Sequence, residues 1–466
     1  MSSAASRTAS LIEKYDRPGP RYTSYPTVPA WTEDFDQEEY GKKLEEAGRA
    51  GADLPLSLYA HLPFCREMCT YCGCNVVISS SREKHAEYVE VIRAELDLVA
   101  DRLGGRNKLL QIHYGGGTPT SLDEALLVRL WDKITERFQI LRGAEIAIEV
   151  DPVVTSREQL ALLRGMGFNR LSLGVQDFTP EVQRAVNRVQ SVEETEAIVE
   201  YARKLGYRGI NFDLIYGLPF QRLETFEKTM EEVLRLVPDR VAIFSYAHVP
   251  HLRAHQRKID EATLPEGREK YGLFEHARDR LLAEGYVAIG MDHFARREDE
   301  LAVAQQERRL SRSFQGYTVR PAADIVAVGA TAIADLRGAY AQNVRPLGAY
   351  YDAIRAGRFA TERGAWLTAD DRLRRDAITQ LMCNFHLDLI ALGERHSVDA
   401  REALASSIEA LREMEGDGLV RIFSDSIEIT QEGQPFVRPV AMAFDAWLDR
   451  MPLNKKGKLP IFSRTI

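Results

Sequence analysis

Pro55-Leu-Ser-Leu-Tyr59-Ala-His61-Leu-Pro-Phe-Cys65-Arg-Glu-Met-Cys69-Thr-Tyr71-Cys72-Gly-Cys74 runs from a strand into a cysteine loop without a break. Leu56, Leu58 and Ala60 alternate with Ser57, Tyr59 and His61, which is the period of a β-strand. Four of the five cysteines fall in the last ten residues, and the fifth, Cys383, lies more than three hundred residues further on. Thiols spaced Cys-x3-Cys-x2-Cys can wrap one side of a small metal centre, and thiolates suit iron–sulfur clusters and zinc alike. Three readings compete. A structural zinc would use all four cysteines, but Cys72 and Cys74 sit one residue apart and no second knuckle supplies a ligand pair. A disulfide needs an oxidising compartment, for which there is no sign. An iron–sulfur cluster held by three thiolates keeps one iron free of protein, where a small molecule can bind.

The same strand-then-helix beat repeats downstream. Arg82–Leu103 reads as a helix, with Val89, Ile92, Leu96 and Val99 on one stripe and Gly104-Gly105 ending it. Strands are expected at 109–114, 145–150, 170–175, 210–216 and 240–246. They end respectively on Gly115-Gly-Gly-Thr118-Pro119, Asp151-Pro152, Gln176-Asp177, Gly217-Leu-Pro219 and Ala247-His248. Helices are expected near 123–138 and Arg157–Met166, in stretches up to 205, and near 224–236. Six strand–helix units in series imply parallel strands joined by right-handed crossovers. The α/β fold expected is a partial (β/α)6 TIM-like barrel, with a doubly wound sheet as the alternative. In both, ligands gather beyond the carboxyl ends of the strands. The cysteine loop, Gly115 to Thr118, Glu149, Gln176, Asp213 and Ala247 are therefore expected to converge on one mouth.

At 466 residues the chain has room for one such barrel and a smaller domain. A hydrophobic content of 45% and a charged content of 28% are those of a globular protein. The net charge of −8 argues against general binding of nucleic acid or anionic membranes. No signal-type apolar segment opens the chain and no apolar run reaches membrane-spanning length, so the expected location is the cytoplasm. Three domains are expected: an extended N-terminal segment over the active site (1–50), a catalytic domain (51–345) and a mostly helical, winged-helix-like cover domain (346–466). Within the first, Arg17-Pro-Gly-Pro-Arg21-Tyr22-Thr-Ser-Tyr25-Pro-Thr places three prolines in nine residues, which disfavours a helix and suggests a strap with a binding role. Past the barrel, 265–284 reads as a helix and 327–334 as a small-residue segment packed at the mouth. Further helices are expected near 370–383, 400–415 and 439–450, with a hairpin at 419–430 turning at Ser424-Asp-Ser. Cys383 reads as a core residue.

Cys65-x3-Cys69-x2-Cys72, with the aromatic Tyr71 before the last cysteine, resembles the signature of radical S-adenosylmethionine (SAM) enzymes. Further segments follow in order: Pro20-Arg-Tyr-Thr-Ser-Tyr-Pro26, Gly115-Gly-Gly-Thr-Pro-Thr120, Ile148-Glu-Val-Asp-Pro152 and Gly174-Val-Gln-Asp-Phe178. Beyond them come Asp213-Leu-Ile-Tyr-Gly-Leu-Pro219, Tyr246-Ala-His248, Met291-Asp-His-Phe-Ala295 and Phe314-Gln-Gly-Tyr317. With these, the chain resembles the bacterial oxygen-independent coproporphyrinogen III oxidase (dehydrogenase) family. The resemblance implies a [4Fe–4S] cluster on Cys65, Cys69 and Cys72, with Cys74 a family mark outside the ligand set. It implies a first SAM near Tyr59, Gly116, Glu149 and Ile333, and a second near Tyr71, Gly117, Thr118, Gln176, Arg188, Asp213 and Ala247. It further implies that SAM is cleaved to a 5′-deoxyadenosyl radical and that two propionates of coproporphyrinogen III are oxidatively decarboxylated to vinyls, giving protoporphyrinogen IX. An external electron donor and acceptor serve the reaction, and no catalytic side chain is assigned beyond cluster and SAM. The substrate carries four carboxylates, so cations are needed; Arg21, with Tyr22 and Tyr25, is the expected propionate contact. The chain is expected to act as a monomer. The alternative is a haem-binding chaperone relative without decarboxylase activity. Such relatives characteristically lack Cys74 and the Pro20 to Pro26 lead-in, and both are present here.

Overall fold

The six expected strands form, in sequence order: β1 (Leu56–Leu62), β2 (Lys108–Gly116), β3 (Gln139–Val150), β4 (Arg170–Gln176), β5 (Gly209–Tyr216) and β6 (Arg240–Ser245). Each pairs in parallel with the next. All of β1 except Tyr59 is buried, as a strand covered on both faces requires. Between the strands run α1 (Gln37–Arg49), which precedes β1, then α2 (Arg82–Leu103), α3 (Glu124–Arg137), α4 (Arg157–Met166), α5 (Val192–Lys204) and α6 (Leu223–Leu236). Ser81, Asp123, Ser156 and Ser191 open α2 to α5 by accepting a backbone N–H in the first turn. The expected α2 stripe of Val89, Ile92, Leu96 and Val99 is fully buried. After β6 comes α7 (Gly267–Ala283).

The computed structural model describes residues 3–448, 450, 462, 464 and 465 and separates into two compact units. The barrel unit comprises Thr32–Glu284 and Ala322–Gly364. The segment expected to pack at the mouth supplies a strand of the sheet itself. β7 (Asp324–Val328) pairs in parallel with the free edge of β1, Leu56 opposite Asp324 and Ala60 opposite Val328. β8 (Ile333–Leu336) and β9 (Ala339–Asn343) continue it antiparallel, so nine strands of the larger sheet run in the order β9-β8-β7-β1-β2-β3-β4-β5-β6. β7 is anchored by a fully buried ion pair, Arg106 to Asp324 at 2.5 Å. Arg106 also donates to the carbonyls of Leu54, Ala47 and Pro55, just ahead of β1. A second buried carboxylate, Glu95 on α2, accepts from Gly329 N (2.7 Å), Asn343 Nδ2 (2.7 Å) and the hydroxyl of Tyr350 (2.5 Å) on α8 (Leu347–Arg355).

The second unit comprises Met1–Trp31, Gly285–Pro321 and Ala365–Ile466. Its core gathers Leu373, Leu381, Leu387, Leu404, Leu411, Leu419, Ile427 and Phe436. The expected hairpin forms from Val420–Ile422 and Ser426–Ile429, with His386–Asp388 as a third strand beside the latter. The helix Ala369–Asn384 is as expected. The helix expected at 400–415 is instead three short ones, Ala400–Ala403, Ala405–Ala410 and Arg412–Gly416, broken at the fully buried Leu404 and Leu411. The helix expected at 439–450 spans only Val437–Met442. Beyond it, Ala446 N donates to the Tyr25 hydroxyl and Trp447 N to Asp445 Oδ1, so these amides are taken by side chains rather than by carbonyls one turn back. The extended lead-in is confined to the prolines' neighbourhood: helix Ser3–Tyr15 precedes it and α1 follows it. Asp36 caps α1, and Tyr40, Leu44 and Ala47 form its buried stripe, a 3.6-residue pattern that lies outside the proline-rich stretch.

Candidate active site

The cysteine loop leaves β1 and is closed at its base. Phe64–Cys65 pairs with Val77–Ile78, through Val77 N to Pro63 O and Ser79 N to Cys65 O. Its interior is held from both sides. On one, Thr70 N donates to Val186 O, and Asn187 Nδ2 donates to Met68 O. On the other, the turn after β6 clasps it: Arg253 donates to Gly73 O (2.5 Å), His255 Nε2 lies 2.7 Å from Cys72 O, and Gln256 Nε2 donates to Tyr71 O (3.1 Å) and Ala247 O (3.2 Å). Cys65, Cys69 and Cys72 are half-buried free thiols, and Cys74 is exposed. Cys65 Sγ sits 3.5 Å from Thr118 Oγ1. Burial pushes the Cys65 thiol up to about 11, whereas a hydrogen bond from Cys74 brings Cys72 down to about 7.

Beside this loop β2 ends on glycines for steric reasons. A Cβ on Gly117 would lie 2.6 Å from the Pro63 carbonyl, and one on Gly115 would lie 2.7 Å from Glu149 Oε1. Gly116, at φ +122°, would bring a Cβ within 2.6 Å of the His61 ring. The backbone amides of this turn are already committed. Gly116 N donates to Glu149 Oε2, Gly117 N to Leu62 O and Thr118 N to Phe64 O, because backbone pairing continues past the end of the strand. The turn therefore contributes close approach and no open anion nest.

A row of polar groups crosses the strand ends. Tyr59 stacks on His113 (centroids 5.8 Å apart) and its hydroxyl meets His61 Nδ1 at 3.0 Å. His113 Nε2 lies 3.4 Å from Glu149 Oε1. Burial alone would raise the Glu149 carboxyl; the hydrogen bond and charge of His113, with the Gly116 amide, outweigh it and hold the group below its ordinary value. On β5, Asp213 accepts from Ser172 Oγ (2.9 Å) and Asn211 Nδ2 (2.8 Å). Burial nevertheless pushes its carboxyl up to about 7. Arg188 pairs with Asp151 (3.0 Å), donates to Gly174 O (2.7 Å) and interacts with the Cys69 thiol, while its buried Nε has no partner among the described residues.

The radical SAM superfamily pattern matches residues 59–233, and that of the HemN C-terminal domain matches residues 367–436. The oxygen-independent coproporphyrinogen III oxidase of Escherichia coli K12 is 42% identical over 456 residues, 98% of each chain. That of Bradyrhizobium diazoefficiens is 45% identical over 430 residues, covering 92% of this chain and 95% of its own. The chain belongs to the oxygen-independent coproporphyrinogen III oxidase family. The solved structure of E. coli coproporphyrinogen III oxidase (HemN), a radical SAM enzyme, superposes with a TM-score of 0.89 at 41% identity, over 94% of this chain and 98% of that one.

The cofactors of a radical SAM member of this family are a [4Fe–4S] cluster and SAM. The donor set fits the cluster. Three free thiols share one pinned loop, and each thiolate of a cubic cluster takes its own iron. Such a site does not need the convergence on a single ion that, among the described residues, no three His, Cys, Asp or Glu side chains achieve. Four thiols on one tetrahedral zinc would need it.

The sequence-derived residues Tyr59, Tyr71, Gly116, Gly117, Thr118, Glu149, Gln176, Asp213 and Ala247 all lie in the carboxyl-terminal halves of β1 to β6 or in the turns beyond them. Ile333 opens β8, right after the turn that follows β7, and Arg188 reaches Gly174 at the end of β4. Arg21, Tyr22 and Tyr25 belong to the second unit. The two tyrosines are core residues there: Tyr22 donates to Asp445 (2.9 Å) and the Tyr25 hydroxyl accepts from Ala446 N (3.0 Å). Arg21 is ion-paired with the buried Asp292. Sequence reasoning missed His113, Ser172 and Asn211. Of these only His113 carried a signal: it stands two residues before Gly115, where its strand was expected to end. The clasp of Arg253, His255 and Gln256 follows no pattern that marks it.

Proposed function

We propose that this chain catalyses the anaerobic radical SAM decarboxylation of two propionate side chains of coproporphyrinogen III to vinyls, giving protoporphyrinogen IX in haem biosynthesis. The observation that carries it is 42–45% identity over nearly the whole length to curated enzymes of that name, with the cysteine loop seated at the mouth of the barrel. We assign the cluster to Cys65, Cys69 and Cys72. We assign a first SAM to Tyr59, Gly116, Glu149 and Ile333, and a second to Tyr71, Gly117, Thr118, Gln176, Arg188, Asp213 and Ala247. When bound, cluster and SAM supply a carbon-centred radical that takes hydrogen from the substrate.

The chain's own groups position and enclose. Glu149, kept ionised by His113, offers an acceptor for an ammonium, and the side-chain-free β2 turn lets a ligand approach the backbone. Asp213 offers an acceptor for ribose hydroxyls. The clasp after β6 fixes the loop so that its thiols keep one arrangement. We assign the chemistry to residues 51–345, with 1–50 and 346–466 serving substrate access. We further propose a monomer working in the cytoplasm with an external electron donor and acceptor; the free thiols of the loop support a reducing setting. Among the described residues no helix is long and apolar enough to cross a membrane.

The test is anaerobic. Protein reconstituted with iron and sulfide is reduced, given SAM and coproporphyrinogen III, and followed for 5′-deoxyadenosine and protoporphyrinogen together. Coupled appearance of both, lost in Cys69→Ala, is the expected result. Deoxyadenosine without decarboxylated product would leave the substrate open, and haem binding without either product would favour the chaperone relatives.

A further inference from the structure

In the second unit the part-buried Arg21, Arg312 and His293 gather about the buried Asp292 and Tyr317. Arg21 is ion-paired with Asp292, whose side chain is 7% exposed. His293 Nδ1 lies 2.8 Å from the other Asp292 oxygen. Arg312 donates through NH1 to the Arg21 carbonyl (3.0 Å), and its guanidinium lies 5.1 Å from the centre of the Tyr317 ring. His293 meets the same ring edge-on at 5.0 Å.

Arg21 and Arg312 are thus joined through the Arg21 carbonyl, and of the two Arg21 holds Asp292 in an ion pair. Arg312 makes no ion pair among the described residues, and its buried Nε has no hydrogen-bond partner. The Tyr317 hydroxyl, on a residue 9% exposed, is equally unpartnered, although Gly290 packs its backbone directly on it. A Cβ at Gly290 would collide with that hydroxyl, so the close packing leaves the phenol little room to turn elsewhere. Ser24 and Thr27, on the same lead-in as Arg21, are further buried hydroxyls without partners. Buried donors are normally satisfied and buried charge is normally balanced. Here Arg312 has no ion-pair partner among the described residues, and its Nε and the hydroxyl of the ring beneath its guanidinium are both left without an acceptor. A planar, doubly accepting monoanion answers all of them.

We propose that Arg312 and Tyr317, with Arg21 held in place by Asp292, form a carboxylate-binding site that takes one propionate of the substrate. This rests on the functional reading above. Arg21 is then a positioned partner whose charge Asp292 already answers, and Arg312 carries the uncompensated charge.

The informative variant is Tyr317→Phe. Its hydroxyl has no hydrogen-bond partner among the described residues, so removing it breaks no hydrogen bond within them; a tyrosine that donated to the fold would show the opposite. The full-length reconstituted enzyme is assayed for the KM of coproporphyrinogen III, and the as-purified protein is titrated by fluorescence with coproporphyrin III and with its tetramethyl ester. Expected for Tyr317→Phe are an unchanged or higher Tm, a KM and coproporphyrin Kd raised about tenfold, and kcat within about twofold. Arg312→Ala raises both constants further, and Arg312→Lys recovers part of the loss. The ester binds wild type and variants alike. An unchanged KM and Kd in folded Tyr317→Phe and Arg312→Ala overturns the site, as does an ester that binds wild type as tightly as the free acid. Wild-type protein that makes no protoporphyrinogen overturns the functional reading instead, independently of how the variants compare.

Discussion

Asp213 shows how one residue's surroundings set its working range. Ser172 and Asn211 both donate to it, yet burial wins and the carboxyl titrates near 7. If Asp213 holds SAM as proposed, its ionised form is the stronger acceptor for ribose hydroxyls, so SAM affinity should fall as pH drops below about 7 and level off above. Asp213→Asn should bind more weakly at pH 8 and show no such limb; equilibrium titration of the reconstituted protein between pH 6 and 8 decides. A limb that survives in the variant would assign the titration to another group. Asp213 was legible from sequence because it sits where a strand should end. Its partners were not, since Ser172 and Asn211 are ordinary strand residues until the register places Ser172 opposite Asn211.

Two elements brace the turns beyond the strand ends. The turn Ala254–Lys258 helps hold the cysteine loop from the β6 side, where Gln256, 1% exposed, ties Tyr71 O of the loop to Ala247 O and Val249 N after β6. Gln256→Ala should cost about 2–3 kcal/mol of stability, from several lost buried hydrogen bonds. It should also lower the iron retained per chain after reconstitution and desalting; full iron content would show that the loop holds itself. The other is α2, whose Glu95 receives the turn after β7. Burial pushes this carboxyl up to about 7, against the hydrogen bonds of Tyr350, Gly329 and Asn343. An unfolded glutamate titrates near 4.5, so between pH 4.5 and 7 the folded chain keeps a proton that the unfolded chain has released. The stability from this group is thus complete below pH 4.5 and is lost as pH rises through 7. Denaturant midpoints at pH 5 and pH 8 should show the slope, and Glu95→Gln should flatten it. The hydrophobic stripe of α2 could be read in sequence, whereas Glu95 looked like one of its polar flanks.

At the scale of the molecule, the repeating beat foretold β1 to β6 in order, but not β7. Five residues of small apolar character, beyond a helix and an arginine-rich stretch, carry no periodicity that says which edge they join. Only the burial of Asp324 against Arg106 reveals the commitment. Arg106→Met should therefore cost about 3–5 kcal/mol, leaving Asp324 buried with only the part-exposed Arg337. The double variant Arg106→Met with Asp324→Leu should recover most of it in equilibrium unfolding. A single variant as stable as wild type would show that the sheet closes without this pair. The late arrival of β7 also has a cost in time. At a synthesis rate of roughly 5–20 residues per second, the strand that seals β1 is made some tens of seconds after Cys74. For that interval the nascent chain carries all four thiols of the cysteine loop beside an open sheet edge, so metal loading, oxidation and mispairing all compete on the ribosome's clock.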